Sequence, residues 1–287
     1  MIPHGPEPAA VHVIGASGRS GAALCRSLAA DGIAFVPVIR NAARWAATNL
    51  PAPPRLADLT APPALRAALA DATHVVSCAH ARHAPAILAA APASAVFIFL
   101  GSTRKFTAWP DAHGNGVLSG ERAFLASARR GVMLHPTMIY GAQGEDNVQR
   151  LAALLRRLPV VPLPGGGRSL VQPIHQADVT ACIRAALRAD WPGPETLVIA
   201  GPEALTYADF VRAVAAASGL RTPRILPVPA WLLRSFAPAT AILPLVPRVG
   251  ADEIRRLTED KAFDVSPMKR TLYVIPRSLP DGLRSMS

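Results

Sequence analysis

Three glycines at equal spacing mark the stretch best suited to chemistry: Gly15, Gly18 and Gly21, in the run VHVIGASGRSG that begins at Val11. An apolar run precedes them and an alanine-rich segment, continuing to Ala30, follows. This order predicts a strand, a tight turn and a helix. Gly15 frees the chain to turn out of the strand, and Gly18 lets backbone N–H groups approach an anion with no Cβ in the way. Gly21 lets the new helix pack closely on the sheet, so that its N-terminus faces the anion. Such a loop holds a dinucleotide pyrophosphate, with Ser17, Arg19 and Ser20 completing it. A glycine triplet also occurs as a plain strand–helix turn, so the rest of the chain has to agree with it.

About 20 residues past such a loop, an Asp or Glu normally binds the adenosine ribose hydroxyls. Here the apolar run Ile33–Ile39 ends in Arg40, and Arg19 sits inside the loop. A carboxylate would repel a 2′-phosphate, whereas guanidinium groups bind it through charge-assisted hydrogen bonds. The expected cofactor is therefore NADP(H), with NAD(H) as the alternative if both arginines are ordinary solvated side chains.

The elements that must position these residues follow in order. Residues 33–39 read as the second strand, with Pro37 awkward inside it. A short third strand ends near Asp58-Leu59-Thr60, and a helix follows from about Pro62 to Ala70. Residues 73–79 and 95–100 read as strands of the kind buried on both faces of a parallel sheet, with a helix around 85–91 between them. Strands alternating with helices give an α/β fold with a doubly wound parallel Rossmann sheet. Further on, residues 131–134 predict a sixth strand, residues 147–157 a helix with one apolar face, and Gly165-Gly166-Gly167 a hairpin turn. A helix from Asp178 to about Ala189, a strand over 196–201 and a helix capped by Thr206 complete the second half. Residues 1–165 are expected to form the NAD(P)-binding domain. Residues 166–287 are expected to form mostly a small C-terminal substrate lobe, with Rossmann elements interleaved near 170–200.

The chain resembles a short-chain dehydrogenase/reductase of the extended or atypical kind, the group related to nucleotide-sugar epimerases and dehydratases. The resemblance rests on the GASGRSG loop, Ala57-Asp58-Leu59, Gly101-Ser102-Thr103, the segment HPTMIYG from His135, and the segment QPIHQADV from Gln172. It implies cofactor contacts from Asp58, Leu59, Ala79, Pro136 and Thr137, and a substrate carbonyl polarised by Ser102. The family also uses a tyrosine and, four residues later, a lysine that lowers the tyrosine's pKa. Counting back from Glu121 places Val117 at the lysine position and His113 at the tyrosine position, and no tyrosine occurs between Gly101 and Ser119. His113 lies in Trp109–Gly116, read as a polar, glycine-rich loop, and its imidazole titrates near neutrality as a general acid should. An exposed histidine without a role is the competing interpretation. Arg104 and Lys105 could supply positive charge to a substrate carbonyl or carboxylate, or form a solvated pair.

Two functions from different classes follow: an NADP(H)-dependent oxidoreductase of a small carbonyl or alcohol, or a redox-inert NADP(H)-binding sensor or assembly protein. Composition excludes several other classes. The chain of 287 residues carries 30 basic and 19 acidic side chains, a net charge of +11, yet the arginines are scattered and aromatic residues are only 5%. That is too few for base-stacking platforms, and nucleic acid is not an expected partner. Three separated cysteines (Cys25, Cys78 and Cys182) suit neither a disulfide framework nor a zinc site. No apolar run is long enough to span a bilayer and no signal peptide is read, which makes the cytoplasm the expected compartment. The proline-rich, aliphatic stretch 223–249 is the candidate surface for a protein partner, with lobe core as its plainer role.

Overall fold

The computed structural model describes residues 8, 10–141, 147–236 and 250–286. The first half alternates strand and helix: β1 (Val11–Ile14), α1 (Arg19–Ala30), β2 (Phe35–Ile39), α2 (Ala42–Ala46), β3 (Arg55–Leu56), α3 (Pro62–Leu69), β4 (His74–Ser77), α4 (Ala84–Ala90), β5 (Val96–Leu100), α5 (Ala112–Ala126) and β6 (Gly131–Pro136). There follow β7 (Ile139–Tyr140), α6 (Asn147–Arg157), β8 (Val160–Pro164), β9 (Leu170–Val171), β10 (Ile174–His175), α7 (Gln176–Arg188) and β11 (Pro194–Ile199). The last elements are β12 (Leu205–Thr206), α8 (Tyr207–Ala217), β13 (Arg224–Val228), α9 (Ala230–Phe236), α10 (Ala251–Arg256), α11 (Ser266–Leu272) and α12 (Leu279–Arg284).

Seven strands form one parallel sheet in the order β11-β6-β5-β4-β1-β2-β3. The strand order reverses between β1 and β4, so the crevice for a ligand opens at the carboxyl ends of these strands. Successive side chains of each strand face opposite layers. Phe97 and Phe99 of β5 pack with Leu65, Ile87 and Phe124 of α3, α4 and α5, whereas Ile98 and Leu100 pack with Leu24 and Leu28 of α1 and Val179 of α7. The continuous apolar runs of the sequence are thus buried on both sides.

Pro37 is accommodated inside the sheet for a local reason. The carbonyl of Ile39 faces β3, accepting from Ala57 N, and Pro37 therefore turns its nitrogen to that same side. Pairing with β3 starts only at Val38, so no hydrogen bond is lost there.

The glycine cluster at 165–167 does not make the expected hairpin. β8 pairs in parallel with β13, and β9 pairs antiparallel with β12, so the turn carries the chain from one small sheet to another. All three glycines have positive φ (57°, 75° and 69°), a run that only glycine adopts without strain. Around these small sheets lies a third apolar core, built from Val161 and Leu163 of β8, Phe210 and Val214 of α8, Leu155 of α6 and Leu283 of α12. Of the stretch 223–249, residues 237–249 lie outside the described residues. Trp231 of α9 is 66% exposed. Among the described residues no helix is long and apolar enough to cross a membrane.

Candidate functional site

The residues expected around a dinucleotide all lie at the carboxyl ends of sheet strands, or in the turns and helix that follow. Gly15 ends β1 with φ of 74°, and a Cβ there would meet Ala79 N at 3.2 Å, so the turns after β1 and β4 touch through it. A Cβ on Gly21 would overlap the Gly15 carbonyl, so α1 lies directly on the loop. Gly18 is the N-cap of α1 and carries no capping side chain, and the first turn holds no acid. The first-turn N–H groups and the positive end of the helix dipole are left for an external anion. Arg19 opens α1 and Arg40 follows β2, both exposed, and Ser17 is half-buried in the turn. Ser20 is engaged elsewhere: its hydroxyl donates to Gln176 Oε1 at 2.9 Å and ties α1 to α7.

Asp58 Oδ1 accepts from the Thr60 hydroxyl at 2.7 Å and from Thr60 N at 2.8 Å. These bonds hold its carboxyl below the usual range, with smaller contributions from Arg40 and His83. Leu59 packs against the core beside α3. Pro136 ends β6, and Thr137 binds inward, its hydroxyl donating to Gln172 O at 2.5 Å and its N–H to Ile199 O at 3.1 Å. The cradle of Gly15, Gly18 and Gly21 therefore fits a pyrophosphate: side chains are absent where backbone must approach, and although Gly18 N donates to the Gly15 carbonyl, among the described residues the N–H groups of Arg19, Ser20 and Gly21 have no backbone acceptor.

Ser102 follows β5. Its Oγ accepts from Arg104 N at 3.1 Å, capping a one-turn helix over Thr103–Phe106, and the hydroxyl proton remains available to donate. The Arg104 guanidinium binds Asp111, with Nε to Oδ2 at 2.7 Å. Asp111 Oδ1 accepts from Gly114 N at 2.7 Å and N-caps α5. The stretch 109–116, expected as a loop, is therefore helical from Ala112 onward. An Asp cap outweighs the two glycines, and those glycines serve close packing. A Cβ on Gly114 would press the Arg104 carbonyl at 2.9 Å, one on Gly116 would press His80 Cε1 at 2.8 Å, and one on Gly120 would overlap the Ala81 carbonyl.

His113, exposed in the first turn of α5, packs edge-on against His80 with ring centroids 4.4 Å apart. Burial lowers the pKa of both. The field of Arg104, Arg256 and Arg82 lowers His113 further against Asp111, and His113, Arg82 and His83 do the same for His80. Both shifts favour the neutral imidazole at pH 7, and His80 Nδ1 already accepts from Arg82 N at 3.1 Å. His80 escapes a reading of the sequence because nothing local marks it. Only the alignment of Gly116 with its ring brings it to α5. Val117, at the counted lysine position, is 1% exposed and packs in the apolar core.

Arg104 and Lys105 do not form a solvated pair or face the crevice together. Lys105 turns inward, and its Nζ donates to Glu121 Oε1 at 2.5 Å with His135 Nε2 at 3.3 Å. Ser102 N donates to His135 Nδ1 at 3.2 Å, which fixes the tautomer: Nδ1 carries the lone pair and Nε2 the proton, directed toward Glu121 Oε1 at 3.5 Å. Burial, then Lys105, lowers the His135 pKa to about 4, so the ring stays neutral and the cluster is a single ion pair beside a neutral imidazole. Gly101 has no Cβ because one would run into this ring. The cluster joins the end of β5, the middle of α5 and β6, and so sets where Ser102 stands.

No family model and no curated protein matches the sequence. Solved structures do match, over nearly the whole chain, and they define the class of fold: that of the NAD(P)-binding short-chain dehydrogenases/reductases and nucleotide-sugar epimerases. A triphenylmethane reductase from Citrobacter superposes with TM-score 0.75 at 14% identity, covering 96% of this chain and 99% of that one. The NADPH-dependent quinone oxidoreductase of Escherichia coli, solved with NADPH, superposes at 0.73 with 18% identity and the same coverage. A UDP-glucose 4-epimerase from Thermotoga maritima, solved with UDP-glucose, superposes at 0.73 with 15% identity, covering 96% of each chain.

Proposed function

We propose that the chain binds NADP(H) and is an oxidoreductase of a small carbonyl or alcohol, working in the cytoplasm. The glycine loop, with Ser17 and the first-turn N–H groups of α1, holds the pyrophosphate, and Arg19 and Arg40 take the 2′-phosphate. Asp58 and Leu59 flank the adenine end, while Ala79, Pro136 and Thr137 approach the remainder through backbone. Bound nicotinamide supplies or accepts the hydride. In alcohol oxidation the neutral His113 takes the hydroxyl proton as hydride leaves for the nicotinamide, and in reduction the protonated ring returns it, while Ser102 donates a hydrogen bond to the substrate oxygen. Residues 1–165 carry the cofactor and the lobe within 166–287 closes over the substrate.

The observation that carries this reading is the uncapped N-terminus of α1, lined by three glycines and flanked by two exposed arginines. The quinone oxidoreductase of the same fold is bound to NADPH. Calorimetric titration with NADPH and NADH, repeated on Arg40→Asp, tests it. NADPH is expected to bind more tightly, and the substitution to remove the difference. Equal affinity in the wild type removes the NADP preference, and binding of neither removes the reading.

A second function, redox-inert binding of NADP(H) in a sensor or assembly protein, is favoured by one observation. Val117 is sealed in the core, so α5 offers no lysine to a catalytic pair. NADPH oxidation across a panel of carbonyls separates the two. Tight binding without turnover, together with a stable co-purifying protein, decides for the second.

A further inference from the structure

The small sheet of β8 and β13 covers the third apolar core with one face and turns the other to water. Val161, Leu163 and Ile225 pack in that core, whereas Val160 and Leu226 are 40% and 50% exposed, with Pro162 and Arg224 exposed beside them. The parallel register sets Val160 next to Arg224 and Pro162 next to Leu226, so the four side chains share one face. α9 begins directly after Pro229, lies against β8 and shows Trp231 to solvent. The outward face of a sheet in water is ordinarily polar, and here three of its four side chains are apolar.

The charge around this face has one sign. Residues 147–177 and 210–236 contain eight arginines and no Asp or Glu. Arg156 and Arg157 close α6 just before β8, Arg221 stands in the approach to β13, and Arg224 opens it. All four are exposed, and among the described residues none has an acidic partner. Arg224 N donates to Pro159 O at 3.0 Å, which brings the two approaches together and gathers the four cations at one end of the sheet. Acids on neighbouring elements do not offset them. Asp209 of α8 pairs with Arg212 at 2.7 Å, and Asp252 and Glu253 of α10 share their helix with Arg255 and Arg256.

We propose that this face docks on an anionic lipid bilayer. Trp231, Leu226 and Val160 enter the headgroup boundary, and Arg156, Arg157, Arg221 and Arg224 meet lipid phosphates. Indole rings and guanidinium groups on long apolar stems suit that boundary, where one end of the side chain is apolar and the other wet. The size of the face separates a bilayer from a protein partner. Strands of five residues, two abreast, span about 16 Å by 10 Å. That area is far under the about 800 Å² a side that a stable protein interface takes, even with Trp231 added. A bilayer asks for no such area, because a few inserted apolar side chains act together with cations worth about fivefold each. Docking of this kind is independent of cofactor binding and of turnover.

The test is sedimentation of the full chain with vesicles of phosphatidylcholine, alone or mixed with phosphatidylglycerol. Binding to the anionic vesicles is expected to be about tenfold or more tighter, and to weaken as salt is added. Arg156→Gln/Arg157→Gln is expected to lose about 25-fold. Arg66→Gln/Arg122→Gln, which removes two exposed arginines from α3 and α5, is expected to lose less than about threefold, as charges facing away from the bilayer are screened. Brominated lipid is expected to quench the tryptophan fluorescence of the wild type and not that of Trp231→Phe, since Trp45 and Trp191 are buried. Absence of vesicle binding, equal binding to both lipids, equal losses in the two double variants, or quenching retained in Trp231→Phe overturns the proposal. A dimer in solution that Trp231→Ala dissociates, without vesicle binding, gives the face to a second copy and overturns it too. If the Arg156→Gln/Arg157→Gln variant does not fold, the lipid comparison and the quenching decide.

Discussion

Lys105→Met removes the cation of an ion pair that is almost out of water, with side chains 9% and 11% exposed at Lys105 and Glu121 and a separation of 2.5 Å. Removing one partner of such a pair typically destabilises by about 3–5 kcal/mol, because the other charge is left buried. The variant escapes part of this by taking up a proton, and the structure decides where it goes. His135 Nδ1 already accepts from Ser102 N, so protonating the ring would break that bond. The proton therefore goes to Glu121. An unfolded glutamate titrates near about 4.3, so holding the acid form at pH 7 costs about 4 kcal/mol, and at pH 5 only about 1 kcal/mol. The sign follows from proton counting: the native variant keeps a proton that the unfolded chain releases above about pH 4.3, so the loss grows as pH rises. Urea unfolding of wild type, Lys105→Met and Lys105→Met/Glu121→Gln at both pH values measures it. The double variant, whose amide oxygen still accepts from His135 Nε2, is expected to recover about 2 kcal/mol or more at pH 7. A single-variant loss below about 1 kcal/mol at pH 7, or one independent of pH, would refute the argument.

Three further outcomes follow from the same geometry. Gly21→Ala drives a Cβ into the Gly15 carbonyl, and is expected to lower NADPH affinity by about a hundredfold or more, read by calorimetry beside a thermal melt. His135→Gln removes a group whose pKa is about 4 when folded and near 6.5 when unfolded. The wild type loses stability from this group as pH falls from about 6.5 to about 4, about 2 kcal/mol of it by pH 5, and the glutamine variant is expected to lack that slope in its unfolding curves. His113→Asn is expected to abolish alcohol oxidation, whose wild-type rate should fall on the acid side through a pKa below the ordinary histidine value; an unaltered rate in the variant removes His113 from the mechanism.

The sheet was legible because its signals are local. Apolar runs, glycines with φ above zero and Pro62 at a helix start each specify their own element. The loop around Gly15 needed nothing from elsewhere. The second half read less well, because the partner of β8 is β13, some sixty residues on, and no local pattern distinguishes that crossover from a hairpin at Gly165. The site shows the same division. Gly15, Gly18 and Gly21 are fixed by backbone geometry, whereas the inward turn of Lys105 depends on Glu121 and His135, which lie on two other elements. His80 was invisible for the same reason.

The face of α5 that meets the turn after β4 carries His113, Gly116, Val117 and Gly120, spaced as one helical stripe. Gly120 allows backbone contact with Ala81, and Gly116 leaves room for the His80 ring. With the helix this close, a lysine at 117 would be pressed into the core beside Phe99. A phenol needs such a cation to become a useful acid near neutrality, but an imidazole does not. Val117 in the core and the paired rings of His80 and His113 are therefore seated together by the small residues of a single stripe. Gly116→Ala tests this without touching a titrating group. Its Cβ would displace His80, expose both rings to water and raise both pKa values toward that of a free imidazole. NMR titration of the histidine ring protons measures the shift, and unchanged titration of His80 and His113 would show that their contact does not set their proton affinity.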